Sequence, residues 1–403
     1  MKKYKKYPVL EVKVHNVKNN AKTMCEFCAE RGIRVAGVIK FSDGDMEIVK
    51  AYHEGGCSEI ASSRTVSLKK IKQKMPDVTT LLVRIPMHSE VNEVVKYCDL
   101  SLNSEVSTLK KLNAAAKRQG VNHGVILMYD VAERREGIVD LDQLCEVAKM
   151  VENDLENLTL KGIGTSFACV SGILPNVENL TWLAEGARKV EEIIGRKLDI
   201  VSGGSSIDMT LLANGIELPE GINHIRVGGF IANPRTMREI RGVTLDGMCE
   251  DTFTLTAEIV EIQDKPSPVG SSGKNWAGQE IKVEDKGVRR RAILAIGSQD
   301  ISSAATLHPL DEGIEFIGNS SDHTLFDITD SPKDWKVSYT SRVRLSRLHR
   351  PCRAAIRSPR SRYKLNGLMP VCSSTNDSAR ANRPLLWMRS TASAASWRRR
   401  SSS

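Results

Sequence analysis

Short β-branched, apolar runs recur along the first part of the chain, near residues 35–40, 57–60, 79–84, 96–101, 122–129, 158–163, 198–201 and 222–227. Each has the length of a buried strand. Between them lie amphipathic stretches whose apolar positions return at helical spacing, such as STLKKLNAAAKRQG (107–120) and VENLTWLAEGARKVEEIIGRK (177–197). Asn176 stands where the second of these would be capped, and Gly120 and Gly195 stand where helices stop. Eight strands alternating with helices predict a parallel sheet closed as a (β/α)8 barrel, an α/β fold, over residues 1–239. An open doubly wound sheet is the competing arrangement, and eight units favour closure. After about residue 240 the pattern changes. FTLTAEIVEIQDKP, GQEIKVED, RRAILAIGSQDI and IEFIGNSSDHTLFDIT are β-rich and separated by turns. They predict a mostly antiparallel β domain over 240–337.

Composition changes this picture in two places. No apolar run approaches the roughly 18–20 residues needed to cross a bilayer. The basic start, MKKYKKYPVLEVKVHN, lacks the apolar core of a secretory signal. No membrane partner is expected. The net charge of +9 is unevenly spread: residues 338–403 hold 14 Arg, one Lys and one acid, which leaves −5 on residues 1–337. This basic, Arg/Ser-rich tail lacks periodicity and reads as disordered. One reading is a nucleic-acid-binding tail, since arginines attract phosphates. The other is an out-of-frame end, which the abrupt break at Val337 favours, so nucleic acid is not expected as a partner. The nine cysteines are scattered, and the close pair Cys25/Cys28 reads as one face of a helix. No zinc spacing accompanies it, so no metal site is expected, and free thiols suit a reducing cytoplasm.

In a barrel of this kind the chemistry gathers at the C-terminal ends of the strands. Lys40 follows the first run; Arg134 and Arg135 follow the fifth; Thr165 and Ser166 follow the sixth. SGGSS (202–206) follows the seventh and RVGGF (226–230) the eighth. Loops after the last two strands commonly hold phosphate in such barrels. Glycines let backbone N–H groups approach the anion, and serines add donors. A lysine facing a phosphate-binding loop pair suggests a phosphorylated aldehyde held as a Schiff base, the chemistry of pyridoxal 5′-phosphate (PLP). Lys40, at the end of an apolar strand, is expected to be partly desolvated and so available as an amine.

The stretches AGVIKFSDGD, VILMYDVAERREGI, LKGIGTSFACVSGILPNVENL, DIVSGGSSIDMTLLANGIELPEGINHIRVGG, RRAILAIGSQDI and GIEFIGNSSDHTLFDITDS carry a resemblance. Over about residues 5–337 the chain resembles the alanine racemase-like, fold-type III PLP enzymes, and within them the alanine/ornithine racemase subgroup. The resemblance implies a Schiff-base and proton-transfer role for Lys40, and an Arg226 contact to the pyridine nitrogen. It implies phosphate binding by Ser205, Ser206, Gly228 and Gly229. It places Arg135 near the substrate carboxylate and Ser321 and Asp322 in a β-domain loop that arrives from a second protomer, making a homodimer with a shared active site.

The departures from that pattern are specific. A tyrosine four residues after the lysine is replaced by Gly44, the histidine stacked near the cofactor ring by Ser166, and the tyrosine second base by Ser298. His323 is the candidate replacement base, against a plain hydrogen-bonded turn histidine. The subgroup implies a racemase of ornithine or another basic amino acid. Glu133, Glu136 and Asp322 are candidates for receiving a distal ammonium, against a solvated loop for ERRE. The alternatives are an alanine racemase, or another enzyme of the fold such as a D-amino-acid aldolase or decarboxylase. A non-catalytic PLP-binding protein is also an alternative, although that usually lacks a β domain.

Overall fold

The computed structural model describes residues 7–267, 272–274, 280–282, 284–301, 307–345, 355–358 and 361–362. In chain order the first part comprises β1 (Val9–Val12), α1 (Val14–Ala29), β2 (Arg34–Val38), α2 (Met46–Glu54), β3 (Glu59–Ser62), α3 (Thr65–Lys74) and β4 (Thr80–Leu82). It continues with α4 (Val91–Tyr97), β5 (Leu100–Asn103), α5 (Val106–Gln119), β6 (His123–Met128), α6 (Leu141–Asp154) and β7 (Leu158–Gly164). Then come α7 (Val177–Ile194), β8 (Ile200–Ser205), α8 (Met209–Leu212), β9 (His224–Val227), α9 (Gly229–Ala232) and α10 (Pro234–Arg241). Strands β2 to β9 form a closed parallel barrel, as the strand-and-helix alternation predicts. The seam joins β2 to β9, from Arg34 opposite His224 to Gly37 opposite Val227.

Parallel strands buried on both faces need continuous apolar sequence. All six residues of β6, HGVILM, are buried. One apolar layer lies between strands and helices and includes Val17, Leu68, Leu112, Leu144 and Val190. A second fills the barrel, with Ala36, Val38, Leu81, Leu102, Ile126 and Met128 among its members. The helix ends follow local chemistry. The Asn176 side chain accepts the Asn179 N–H at 2.8 Å, and the Asn179 side chain returns a bond to the Asn176 N–H at 3.0 Å. Gly195 then ends α7 at φ 73°, a left-handed geometry that costs glycine nothing.

The second part is a sheet organised on one long strand, β10 (Phe253–Pro266). Next come β11 (Ser272–Lys274), β12 (Glu280–Lys282), β13 (Val288–Leu294), β14 (Leu307–Pro309), β15 (Glu315–Asn319) and β16 (Thr324–Asp327). The last strands are β17 (Thr340–Leu345), β18 (Ala355–Ser358) and β19 (Ser361–Arg362). β10 pairs antiparallel with β1 and β17 along its first half and with β13 along its second. The register shifts between Ile259 and Glu261, a bulge that bends the strand.

Two boundaries differ from the sequence reading. β1 lies within residues 1–239 but pairs with β10, so it is part of the β sheet and not of the barrel wall. The sheet also runs past Val337. β17 pairs with β10 from Glu258 opposite Thr340 to Thr254 opposite Arg344, with Ser341 and Val343 buried and Arg342 exposed. This is the period of a strand with one face inward, masked in composition by its arginines. The expected disorder from residue 363 onward lies outside the described residues. No helix among the described residues is long and apolar enough to cross a membrane.

A chain ending at residue 337 removes β17 and bares one edge of β10. Compared with a chain ending at 362, it is expected to lose about 2 kcal/mol or more from the Val343 side chain alone and to aggregate through the open edge. Urea unfolding and light scattering measure both; equal midpoints would remove the role given to β17.

Candidate active site

The site is built on the C-terminal rim of the barrel. β2 ends at Val38, and Ile39 is fully buried, with its N–H on the Ala61 carbonyl at 2.8 Å. Lys40 follows, exposed, with no hydrogen bond or ion pair to a described residue. The expectation of partial desolvation is therefore corrected: the apolar burial of the strand stops one residue short of the amine. The next residue anchors the segment. The Phe41 ring sits edge-on to Phe253 of β10 at 5.9 Å and tilted to Tyr52 of α2 at 6.4 Å. Tyr52 is fully buried, and burial pushes its phenol well above the usual tyrosine range. Its hydroxyl donates to the Gly228 carbonyl at 3.0 Å. Gly228 in turn lies so close to β2 that a Cβ there would stand 2.8 Å from the Val38 carbonyl oxygen. The segments carrying Lys40 and the Gly228–Gly229 pair are thus braced together.

The centre of the rim is Arg226, on β9 and buried. Its Nη1–H donates to Ser202 Oγ, and its Nη2 donates to the Thr165 carbonyl at 2.6 Å and to Ser166 Oγ at 3.2 Å. These acceptors are neutral. Burial pulls the guanidinium pKa down and the fields of Asp208 and Glu136 pull it back up; an arginine stays charged through such shifts. Ser202 Oγ also pairs with His224 Nδ1 at 2.9 Å, and His224 Nε2 with Glu59 Oε2 at 3.3 Å. Burial lowers the imidazole pKa against the pull of Glu59. Desolvation tends to raise Glu59, but the bonds from His224 and Ser58 outweigh it and hold the carboxyl below its usual range. Neutral His224 donating to ionised Glu59 satisfies both. Ser166, where the family pattern has a histidine, links Arg226 to the loop after β6 by accepting from Arg135 Nη2 at 3.3 Å.

That loop is built by its own acids. Asp130 Oδ1 accepts the N–H groups of Ala132 at 3.2 Å and Arg134 at 3.0 Å. Glu133 is 2% exposed and accepts the backbone N–H groups of Cys169 at 2.9 Å and Val170, plus the Ser171 hydroxyl at 2.8 Å. Desolvation alone would raise its carboxyl, and these bonds more than reverse that, leaving it below 4.5. Glu133 is therefore a clamp on the loop after β7 rather than a receptor for a substrate ammonium: both of its oxygens already accept bonds from 169–171. Glu136 is ion-paired to Arg135 through Nε and Nη2, a pair in which Nη1 takes no part. The pair raises the Arg135 pKa.

On the far side, the Gly228 N–H donates to Ser206 Oγ at 3.3 Å. Gly229 faces open space where a Cβ would be. Thr165 Oγ1 and Asn103 Oδ1, at the ends of β7 and β5, are buried without a hydrogen-bond partner. In the β domain, Ser321, Asp322 and His323 form an exposed turn. Its Ser320 N–H binds the His323 carbonyl at 2.8 Å, and the His323 N–H binds Ser320 Oγ at 3.1 Å. Asp322 accepts Gln299 Nε2 at 2.5 Å and Ser321 Oγ at 2.8 Å. Gly297 permits the approach of this turn, since a Cβ there would lie 2.2 Å from the Ser321 carbonyl oxygen. Arg135, Ser166 and Arg226 are joined by hydrogen bonds, as are Ser206 and Gly228. No hydrogen bond joins 321–323 to these among the described residues. Glu59 and His224 went unnoticed in the sequence, and Ser202 was read there only as part of the SGGSS loop. The shared parity of His224 and Arg226 on one strand was the available signal. Among the described residues no cluster of His, Cys, Asp or Glu could hold a metal ion.

The family described as the alanine racemase N-terminal domain matches residues 12–233. An ornithine racemase of Acetoanaerobium sticklandii is 40% identical over 334 residues, 82% of this chain and 92% of that protein. A lysine racemase of Thermotoga maritima is 34% identical over 341 residues, 84% of this chain and 94% of that one. Among solved structures, an alanine racemase of Clostridium difficile 630 superposes with a TM-score of 0.64 at 18% identity, covering 87% of this chain and 89% of its own, a likeness of fold.

Glu133→Gln tests the clamp. A carboxyl held below its ordinary 4.5 contributes stability above that pH and loses it as pH falls through the native value. The wild type is expected to lose stability below about pH 4.5. The variant is expected to start about 1.5–3 kcal/mol lower at pH 7, with a flatter acid limb and faster proteolysis in 168–172. Identical acid limbs would show that the carboxylate does not clamp the loop.

Proposed function

The chain belongs to the alanine racemase family and is an amino-acid racemase, and from that premise we propose that it interconverts L- and D-ornithine with pyridoxal 5′-phosphate bound at Lys40. The observation that carries this reading is a buried guanidinium held by neutral oxygens, on the strand paired with the one that leads to Lys40.

The residues present fit the cofactor. Ser206 Oγ accepts the Gly228 N–H and keeps its own proton to donate to an anion. Gly229 opens on empty space beside it, and the Thr165 hydroxyl is unsatisfied at the rim. Ser205, Ser206, Gly228 and Gly229 would hold the phosphate, Arg226 the ring nitrogen, and Lys40 the aldehyde. When bound, the group supplies a carbonyl that captures amines and a ring that withdraws electrons from the substrate Cα.

The protein supplies the rest. Lys40 Nζ, exposed and unpaired among the described residues, moves the α-proton on one face. Arg226 is held by three oxygens from two neighbouring strand ends and donates an N–H without giving up a proton. A permanent positive charge there disfavours protonation of a nearby nitrogen. Electron withdrawal is then moderate, which suits reversible proton transfer. Arg135 would hold the substrate carboxylate through Nη1, which the Glu136 pair leaves out. Inversion takes a second proton carrier on the opposite face, and His323, brought across a homodimer interface with Ser321 and Asp322, fills that role. Relatives named for ornithine and lysine support a basic amino acid. With Glu133 spent on the loop, Glu136 and Asp322 remain to meet the distal ammonium. Free cysteines, seven among the described residues, suit a reducing cytoplasm.

Absorbance spectra with PLP for the wild type and Lys40→Ala, followed by chiral analysis of ornithine, lysine and alanine, test this reading. A near-visible band dependent on Lys40 is expected, with D-ornithine formed fastest and the variant slowed by at least about 10²–10⁴-fold. Faster D-lysine formation would move the substrate to the longer homologue. D-alanine formed fastest would overturn the basic substrate, and a band indifferent to Lys40 would overturn its role.

A further inference from the structure

Asp208 closes the one-turn 3-10 segment Ser206–Asp208 that follows β8. It is fully buried, and neither carboxylate oxygen accepts a hydrogen bond. The Ser205 backbone N–H acts on the carboxyl as a weak donor, lowering its pKa against burial, without reaching the geometry of a full hydrogen bond. A carboxylate in such a place is costly to keep ionised. The loop presses on it. Gly204 has φ 155°, and a Cβ there would stand 2.7 and 2.8 Å from Asp208 Oδ1 and Oδ2. The carboxyl therefore backs directly onto the 203–206 segment, two residues from the Ser206 hydroxyl.

Few charges surround it. β8 and α8 carry no titratable side chain. β9 brings Arg226, while its His224 is turned to Ser202 and Glu59. α1 brings Cys28, whose thiol is pushed up to about 12, mainly by burial, and stays neutral. One guanidinium thus serves the whole region, and its direct hydrogen bonds go to Ser202, Thr165 and Ser166.

We propose that Asp208 makes loading of the phosphorylated ligand proton-linked: the 203–206 segment accepts a phosphate dianion only while the carboxyl behind Gly204 carries a proton. This rests on the phosphate assignment above. An ionised carboxylate and a dianion sharing one desolvated pocket repel each other strongly. Protonation removes that repulsion and turns the carboxyl into a donor. Burial, opposed by Arg226, pushes this carboxyl up to about 7, so the switch falls in the neutral range. The sign follows. Below pH 7 the acid is neutral and the anion is held; as pH rises the acid ionises and affinity falls. The phosphate's own second ionisation, near pH 6, is complete before this window.

The probe is benzyl phosphate, a phosphate monoester with no aldehyde and no ring nitrogen, so that neither Lys40 chemistry nor a titrating ring beside Arg226 enters the proton balance. For the wild type, Kd is expected to rise about tenfold per pH unit from pH 7 to 9. For Asp208→Asn, neutral at every pH, it is expected to stay flat. Calorimetry of the wild type at pH 8, in buffers of different ionisation enthalpy, is expected to show uptake of nearly one proton, and this decides the matter even if the variant does not fold. Parallel pH slopes in the two proteins, or no proton uptake, would overturn the role of Asp208 and leave the phosphate site standing. Absence of binding to both folded proteins would overturn the phosphate assignment and this proposal with it.

Discussion

The rim depends on one buried cation. Placing the Arg226 guanidinium inside a barrel is unfavourable unless its N–H groups are satisfied, and Ser202 Oγ, Thr165 O and Ser166 Oγ do that from strand ends β7 and β8. Each acceptor is then tied further. Ser202 leads to His224 and Glu59 on β3; Ser166 leads to Arg135 after β6. The polar groups of five strands form one connected set, and moving Arg226 would strand the others. The apolar filling of the barrel, from Ala36 to Ile200, leaves the polar chain no other place to go.

The same logic separates structural charges from chemical ones. Asp130 and Glu133 are acids in a loop that looks solvated in sequence, yet both are spent on backbone N–H groups. A loop at an active rim has few internal hydrogen bonds, and carboxylates supply them. Lys40 is the opposite case: an exposed amine with Phe41, its neighbour, pinned between two aromatic rings. The backbone is held and the amine is left free.

The β sheet is organised around β10, which meets β1 from the start of the chain and β17 from beyond residue 337. Three distant segments therefore share one core, with Leu255, Ala257 and Val343 buried together in it. Gly297 lets the 320–323 turn close against the loop after β13. The segments that carry Ser298 and His323 are set by this backbone approach together with the Gln299–Asp322 side-chain bond.

Periodicity alone determined much of this protein. The eight barrel strands, the ends of α5 and α7 at Gly120 and Gly195, and the Asn176 cap depend on interactions within a few residues, so a linear pattern records them. The same holds for the positions of Lys40, Ser206 and Arg226, which follow from strand ends. Other features required the tertiary structure. Glu133 meets Val170 across 37 residues, Arg226 meets Thr165 across 61, and β1 meets β10 across more than 200. Whether an acid is a clamp, a counter-ion or a free receptor is decided by which donors reach its oxygens. That depends on how strands brought together by barrel closure aim their side chains. For Asp208 and Glu133, both acids in polar loops, burial and the supply of N–H groups left one carboxyl without a hydrogen bond and made the other a hydrogen-bonded carboxylate.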